Sequence, residues 1–129
     1  MNKTVMLIWS LVLMAGLIQC TDRYSQGQRI YGALCSNCHG EDGAGLQKLI
    51  PGLNQNKLLQ DHQKLVCIIK NGVNADSTDE KLSVMPAHKK MTTVELTNLI
   101  NFLQHHFLQK EDYLSLEEVA TYEKNCLTQ

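Results

Sequence analysis

Two cysteines and a histidine form the most chemically specific pattern in this sequence. Cys35, Cys38 and His39 stand in the order C-x-x-C-H. Two thiols at this spacing near the end of a helix reach both vinyl groups of one porphyrin, and the adjacent histidine supplies an axial ligand to the iron. The pattern therefore predicts one covalently attached haem c, with His39 as the fifth iron ligand.

Two other kinds of site also use a C-x-x-C pair. A thiol–disulfide redox pair is typical of a βαβ context, whereas the sequence has no convincing run of alternating apolar residues. A zinc site would require a second pair of ligands at close spacing, and the sequence offers none. We keep both sites as the alternatives to haem attachment.

Apolar residues at helical spacing predict an all-α fold with long loops around the motif. Ser25 and Gln28 have the spacing of a capping box that opens a first helix. A second helix is predicted over residues 57–70, before the stop signal Asn71-Gly72. The buried stripe of the first helix is predicted to consist of Ile30, Tyr31, Leu34 and Cys38.

Two more helices are predicted in the C-terminal half, each with its own capping box. Thr92 and Glu95 open one of them, and Ser115 and Glu118 open the other. Because the apolar stripes are short and the loops are long, we expect a haem to fill the centre of so small a domain. The stripe of the helix that follows Thr92 consists of Val94, Leu96, Leu99, Ile100 and Leu103.

The sequence resembles a class I cytochrome c, a monohaem family, over residues 25–108. The resemblance implies that Gly27 lets the first helix cross closely over the helix that carries Phe102. Tyr31 also stands at the family's distance from the C-x-x-C-H motif. The glycines of residues 40–45 resemble the family's tight loop beside the porphyrin, where the backbone adopts φ values that other residues resist.

The same resemblance implies the other residues of the haem site. The carbonyl oxygen of Pro51 is expected to accept a hydrogen bond from His39 and so to orient the ring, and Leu53 is expected to pack on the haem. The family's distal ligand is a methionine followed by proline, which matches Met85-Pro86 and makes Met85 the expected sixth ligand. The alternatives for the sixth ligand are Met91, His62, His88, His105 and His106.

A His/Met ligand pair raises the iron's reduction potential and leaves no open coordination site. The resemblance therefore implies a one-electron carrier and not an enzyme, with redox partner proteins as donor and acceptor. The alternatives are a fixed haem relay subunit of an oxidase or dehydrogenase complex, or a haem enzyme or gas sensor in which Met85 is displaced. The formal net charge is −1 with no basic stripe, and this gives no indication of a nucleic-acid partner.

The N-terminal segment has the pattern of an export signal. Lys3 precedes an apolar run over residues 5–18, which is shorter than the ~20 residues of a spanning helix. Residues 17–20 resemble a lipobox, although Gln19 stands where a small residue is expected. We predict lipidation of Cys20 and a location on the periplasmic side of a membrane. An ordinary secretory signal and an uncleaved anchor helix are the alternatives.

Two of the five cysteines, Cys67 and Cys126, have no role in the motif or the anchor. Because an exported chain lies in an oxidising compartment, we predict a disulfide between them, with two unpaired thiols as the alternative. The predicted organisation is a signal peptide (1–19), a lipidated tether (20–26), a cytochrome c domain (27–108) and a C-terminal helical extension packed on that domain (109–129).

Overall fold

Helices make up the regular structure in the computed structural model, which describes residue 9 and residues 22–47, 49–73 and 85–126. The all-α prediction is confirmed, since these residues contain no strand and only two isolated backbone bridges. The helices are α1 (Ser25–Leu34), α2 (Ser36–His39), a 3-10 helix (Lys57–Gln60), α3 (His62–Asn71), α4 (Thr93–Leu108) and α5 (Leu116–Cys126).

The predicted signal peptide and the lipidation site at Cys20 lie outside the described residues, apart from Trp9. Among the helices of the described ranges, none is both long enough and apolar enough to cross a membrane. The prediction of an anchor therefore still depends on the sequence pattern alone.

The capping boxes predicted for α4 and α5 are confirmed. The hydroxyl oxygen of Thr92 accepts a hydrogen bond from the backbone N–H of Glu95 at 3.3 Å, and the carboxylate of Glu95 accepts one from the backbone N–H of Thr92 at 2.8 Å. Ser115 and Glu118 exchange the same pair of bonds at 3.3 and 2.8 Å. Each box satisfies two backbone donors that the helix itself leaves without acceptors, and so fixes where the helix begins.

Two predictions about the first half of the chain are wrong. The residue that caps α1 is Tyr24, so Ser25 is already helical and forms no capping box. The helix predicted over residues 57–70 is divided, because Asp61 leaves helical geometry and its carboxylate accepts a hydrogen bond from the backbone N–H of Lys64 at 3.0 Å. An aspartate in this position starts a new helix, which is α3.

α1 crosses closely over α4 at Gly27. A Cβ atom at Gly27 would lie 2.2 Å from the carbonyl oxygen of Asn98 and 2.5 Å from the Cβ of Phe102, so no larger residue fits. Below the crossing, the ring of Tyr31 packs 5.6 Å from that of Phe102 and 5.3 Å from that of Phe107. The crossing fixes the direction in which α1 enters the C-x-x-C-H motif.

α4 is the central helix of the core, with Leu96 and Ile100 fully buried. Val94 belongs to the predicted apolar stripe of this helix but is 50% exposed. The buried Asn101 amide donates to the carbonyl of Leu114 at 3.0 Å and accepts from its N–H at 2.9 Å. This pair of bonds holds the connection between α4 and α5 against the core.

The last helix, α5, packs on α3 and α4. Val119 on α5 is fully buried. The structure pairs Cys67 of α3 with Cys126 of α5, at a Cα–Cα distance of 5.3 Å. The side-chain amide of Gln63 adds a hydrogen bond to the carbonyl of Tyr122 at 3.0 Å. The oxidised state of the pair stays a prediction that experiment must test.

We expect the Cys67–Cys126 disulfide to contribute strongly to stability. The two residues are 59 positions apart. In the chain-entropy model, a disulfide that closes a loop of about 60 residues stabilises the folded state by about 4 kcal/mol, before any strain is subtracted. Cys67→Ser with Cys126→Ser should therefore lower the free energy of unfolding by up to about that amount in a denaturant titration. Alkylation of both thiols in unreduced, freshly isolated protein, seen by mass spectrometry, would contradict the disulfide.

Candidate haem-binding site

The C-x-x-C-H motif lies where α1 passes into the single turn α2. The backbone N–H of Cys35 donates to the carbonyl of Tyr31 at 2.9 Å, and the N–H of His39 donates to the carbonyl of Cys35 at 2.9 Å. Helical geometry therefore continues through the motif and brings Cys35, Cys38 and His39 to neighbouring positions. Both thiols are free, with Cys35 half-buried and Cys38 exposed.

His39 is held by the loop that follows the motif. Its Nδ1 lies 3.0 Å from the carbonyl oxygen of Pro51. Because a carbonyl oxygen only accepts, this contact requires the proton on Nδ1 and leaves Nε2 with a free lone pair. Leu53, two residues later, is half-buried and packs against the core. The arrangement presents one imidazole nitrogen as a ligand for a metal.

The glycine-rich loop turns tightly beside the motif, in agreement with the resemblance. Gly40, Gly43 and Gly45 have φ values of 81°, 69° and 71°. The hydroxyl of Tyr31 donates to the carbonyl of Gly40, and the N–H of Gly45 donates to the carbonyl of His39 at 2.8 Å. Burial first, and then the nearby Cys35 and Asp42, raise the pKa of Tyr31 to about 12, so its hydroxyl stays a donor at neutral pH.

The thiol at Cys35 is poorly suited to disulfide exchange. Burial, and then the charge of Cys38, raise the pKa of Cys35 to about 11. Redox-active C-x-x-C pairs instead have a lowered thiol pKa, because the thiolate is the attacking species. Within the described ranges, no group of three or more histidine, cysteine, aspartate or glutamate side chains has the arrangement of a metal site.

Met85 begins a second segment of the site, which we call the distal segment and define as residues 85–91. Its backbone N–H and carbonyl pair with those of Val73, both at 3.0 Å. Gly72 has a φ of 72°, and a Cβ there would lie 2.5 Å from the carbonyl oxygen of Met85 and 2.8 Å from the N of Ala87. The sequence predicts Gly72 only as a helix stop, but its contacts also make it a support for Met85.

A cleft of about 490 Å3 lies between α1 and the distal segment, and it is not lined by Cys35, Cys38, His39 or Met85 themselves. Ile30 and Leu34 of α1 line one side, and residues 87–91 line the other. The prediction that Leu34 and Cys38 are buried is wrong, since Leu34 is 48% exposed and Cys38 is also exposed. Two residues of the predicted apolar stripe, Ile30 and Leu34, line the cleft instead of being buried in the core.

The donor groups of the motif and of the distal segment fit a c-type haem. If a haem were bound, the two free thiols could form thioethers, and Nε2 of His39 and the thioether sulfur of Met85 could bind its iron. Exposed apolar side chains at the cleft, such as Leu34, suit contact with a porphyrin. The roles of Met85 and His39 as iron ligands stay predictions.

The alternative sixth ligands occupy different surroundings. Met91 is 8% exposed and belongs to the hydrophobic core, as expected of a packing side chain, and it also lines the cleft. The ring of His105 stacks on Tyr24 at a centroid distance of 4.1 Å, and the ring of His62 lies 6.3 Å from that of Tyr122. The ring of His106 stacks on Phe102 at 5.0 Å, while His88 lines the cleft.

Comparison with known proteins identifies the family of the chain. The sequence profile of the family described as "Cytochrome C oxidase, cbb3-type, subunit III" matches residues 22–103. The crystal structure of the c-type cytochrome XoxG from Methylobacterium extorquens AM1 is similar, with 26% identity and a TM-score of 0.52. The match covers 81% of this chain and 66% of that one. A search of curated proteins finds no match.

Gly72→Ala tests the support of Met85. We expect the variant to lose about 1–3 kcal/mol of the free energy of unfolding, because alanine resists a positive φ and its Cβ would collide with backbone atoms of the distal segment. Gly32→Ala is the matched control. Nothing lies within 4 Å of a Cβ at that position in α1, so this variant should be neutral or more stable. Equal stabilities of the two variants in a denaturant titration would contradict the role of Gly72.

Proposed function

Because the chain belongs to the family of cbb3-type cytochrome c oxidase subunit III, whose members are c-type cytochromes, we propose that it carries single electrons between redox partner proteins. The observation that best supports this proposal is the arrangement around His39. Its Nδ1 contacts the carbonyl oxygen of Pro51, and the free thiols of Cys35 and Cys38 are close to it in the chain. Residues 87–91, which line one side of the cleft, follow Met85 almost directly.

In this proposal each residue of the site has one task. Cys35 and Cys38 attach one haem through thioethers, and His39 and Met85 bind its iron. The haem, when bound, supplies the one-electron Fe(III)/Fe(II) couple. Pro51 holds the imidazole in one orientation, which also fixes its tautomer.

Backbone contacts at both proposed iron ligands support a carrier over a haem enzyme. The carbonyl of Pro51 restrains His39, and the pairing with Val73 and the contact with Gly72 restrain Met85. Two restrained ligands leave no coordination site for a substrate, and they need little rearrangement when the charge of the iron changes. Electron exchange is the chemistry that such a site favours.

A fixed relay subunit is the second candidate, and the family match favours it. The family is that of an oxidase subunit, and the matched region includes the whole C-x-x-C-H motif. A relay of this kind would remain bound to a large complex during purification in mild detergent. A freely exchanging carrier would separate from it.

We also propose that the protein is anchored at the periplasmic face of a bacterial membrane through lipid on Cys20. Because α1 begins at Ser25, residues 21–24 form the tether between the lipid and the folded domain. Four residues reach ~14 Å at most, at ~3.4 Å per residue. Partners would therefore have to lie close to the same membrane.

Replacing the proposed distal ligand should change the electronic properties of the iron while the haem stays attached. For Met85→Ala we expect a midpoint potential lower by on the order of 0.1 V, because a thioether ligand stabilises the reduced iron. The variant should also bind exogenous ligands. Met91→Leu is the comparison variant, because Met91 lines the cleft but does not bind the iron in this proposal, so its replacement should leave the potential nearly unchanged. If Met85→Ala kept the wild-type potential and bound no new ligand, the sixth ligand would be another residue.

Membrane fractionation tests the anchor. Wild-type protein should sediment with membranes, and Cys20→Ser should yield soluble protein that still contains haem, because the lipid is the only attachment in this proposal. Intact-mass measurement would show whether residues 1–19 have been removed. A Cys20→Ser protein that stays in the membrane with residues 1–19 intact would indicate an uncleaved anchor helix.

A further inference from the structure

We propose that Lys70 is a positioning residue for the Met85 ligand, and that Glu123 of the C-terminal helix holds Lys70 in place. The inference rests on the proposed function, since it assumes that Met85 binds the iron. It extends that function to two residues outside the cleft and gives α5 a part in tuning the site.

The distal segment is attached mainly to the last turns of α3. The N–H of His88 donates to the carbonyl of Ile69 at 3.0 Å, and Met85 pairs with Val73 just after the helix. The ammonium of Lys70 then reaches the far end of the segment, where it donates to the carbonyl of Met91 at 2.8 Å and to that of Lys89 at 3.2 Å. α3 therefore holds the segment near both of its ends.

The third donor of Lys70 is used by Glu123. Nζ lies 2.9 Å from Oε1 of Glu123, and the side chains of the two residues are only 19% and 17% exposed. An ammonium has three N–H donors, and these three acceptors match that number. Because the pair is partly buried, water and salt screen it less than a surface ion pair.

Glu123 also connects α5 to the beginning of α4. Its Oε2 accepts a hydrogen bond from the hydroxyl of Thr93 at 2.6 Å. Thr93 is the first residue of α4 and follows the distal segment almost directly. One carboxylate oxygen of Glu123 thus contacts Lys70, which precedes the distal segment in the chain, and the other contacts Thr93, which follows it. The Cys67–Cys126 pair keeps α5 on α3.

The contacts of Lys70 should affect how firmly Met85 is held. When the ammonium is removed, the carbonyls of Lys89 and Met91 lose their common donor, and Glu123 loses the charge that it faces. The distal segment is then free to move at that end. A ligand that competes with Met85 for the iron should therefore bind more tightly, because less energy is needed to displace the segment.

Imidazole binding to the oxidised holoprotein, followed by visible absorption, tests the inference. Lys70→Met, which keeps an unbranched side chain, should tighten imidazole binding about tenfold. The loss of a hydrogen bond to a charged group typically changes an equilibrium constant by about tenfold or more. Glu123→Gln should act in the same direction with a smaller effect. Lys70→Arg keeps a donor and a charge and should stay close to the wild type.

Lys64→Met is the matched control, because Lys64 is an exposed lysine on the same helix. It should leave imidazole affinity within about twofold of wild type, since a distant, screened charge has little effect on the iron. If Lys70→Met and Glu123→Gln both behaved like Lys64→Met, Lys70 would not position the ligand. Since Glu123→Gln retains Lys70, it tests the inference even if Lys70→Met fails to fold.

A double variant separates this inference from the proposed function. In a Met85→Ala background, Lys70→Met should have no further effect on imidazole affinity, because the ligand that Lys70 positions is absent. The same tenfold gain in that background would overturn the inference and leave the ligand assignment intact. If Met85→Ala alone bound imidazole no more tightly than wild type, the proposed ligand set and the inference would both fail.

Discussion

The contact of α1 with α4 at Gly27 is the constraint on which the rest of the structure depends. α1 runs directly into the C-x-x-C-H motif, and the distal segment runs directly into the capped beginning of α4. Because a Cβ at Gly27 would lie only 2.2 Å from the carbonyl oxygen of Asn98, the two helices are in contact through their backbones. Both sides of the cleft are thereby attached to one rigid pair of helices.

A second support comes from the C-terminal half of the chain. The distal segment has no regular structure of its own, and its contacts are mostly with α3 through Ile69, Lys70 and Gly72. α3 in turn is paired with α5 through Cys67 and Cys126. The C-terminal extension is therefore part of the support of the site, although none of its described residues, 109–126, lines the cleft.

Much of the site could be predicted from sequence because its signals are local. The C-x-x-C-H motif and the capping box at Thr92 involve residues within a few positions of one another. The division of the predicted second helix was missed because its lysines, glutamines and leucines suit a continuous helix, and only the side chain of Asp61 decides otherwise. The contacts of Lys70 have no sequence signal, since two of its three acceptors are backbone carbonyls about twenty positions away.

Covalent haem binding is tested by the mass and visible spectrum of protein produced together with haem-maturation enzymes. We expect sharp Soret and α bands on reduction and, after denaturation, a chain heavier by one haem. A Cys35→Ala, Cys38→Ala variant should lose that added mass, because these thiols form the covalent bonds. A denatured wild-type chain with no added haem, or a reduced sample without these bands, would contradict the central claim that this site binds one haem covalently.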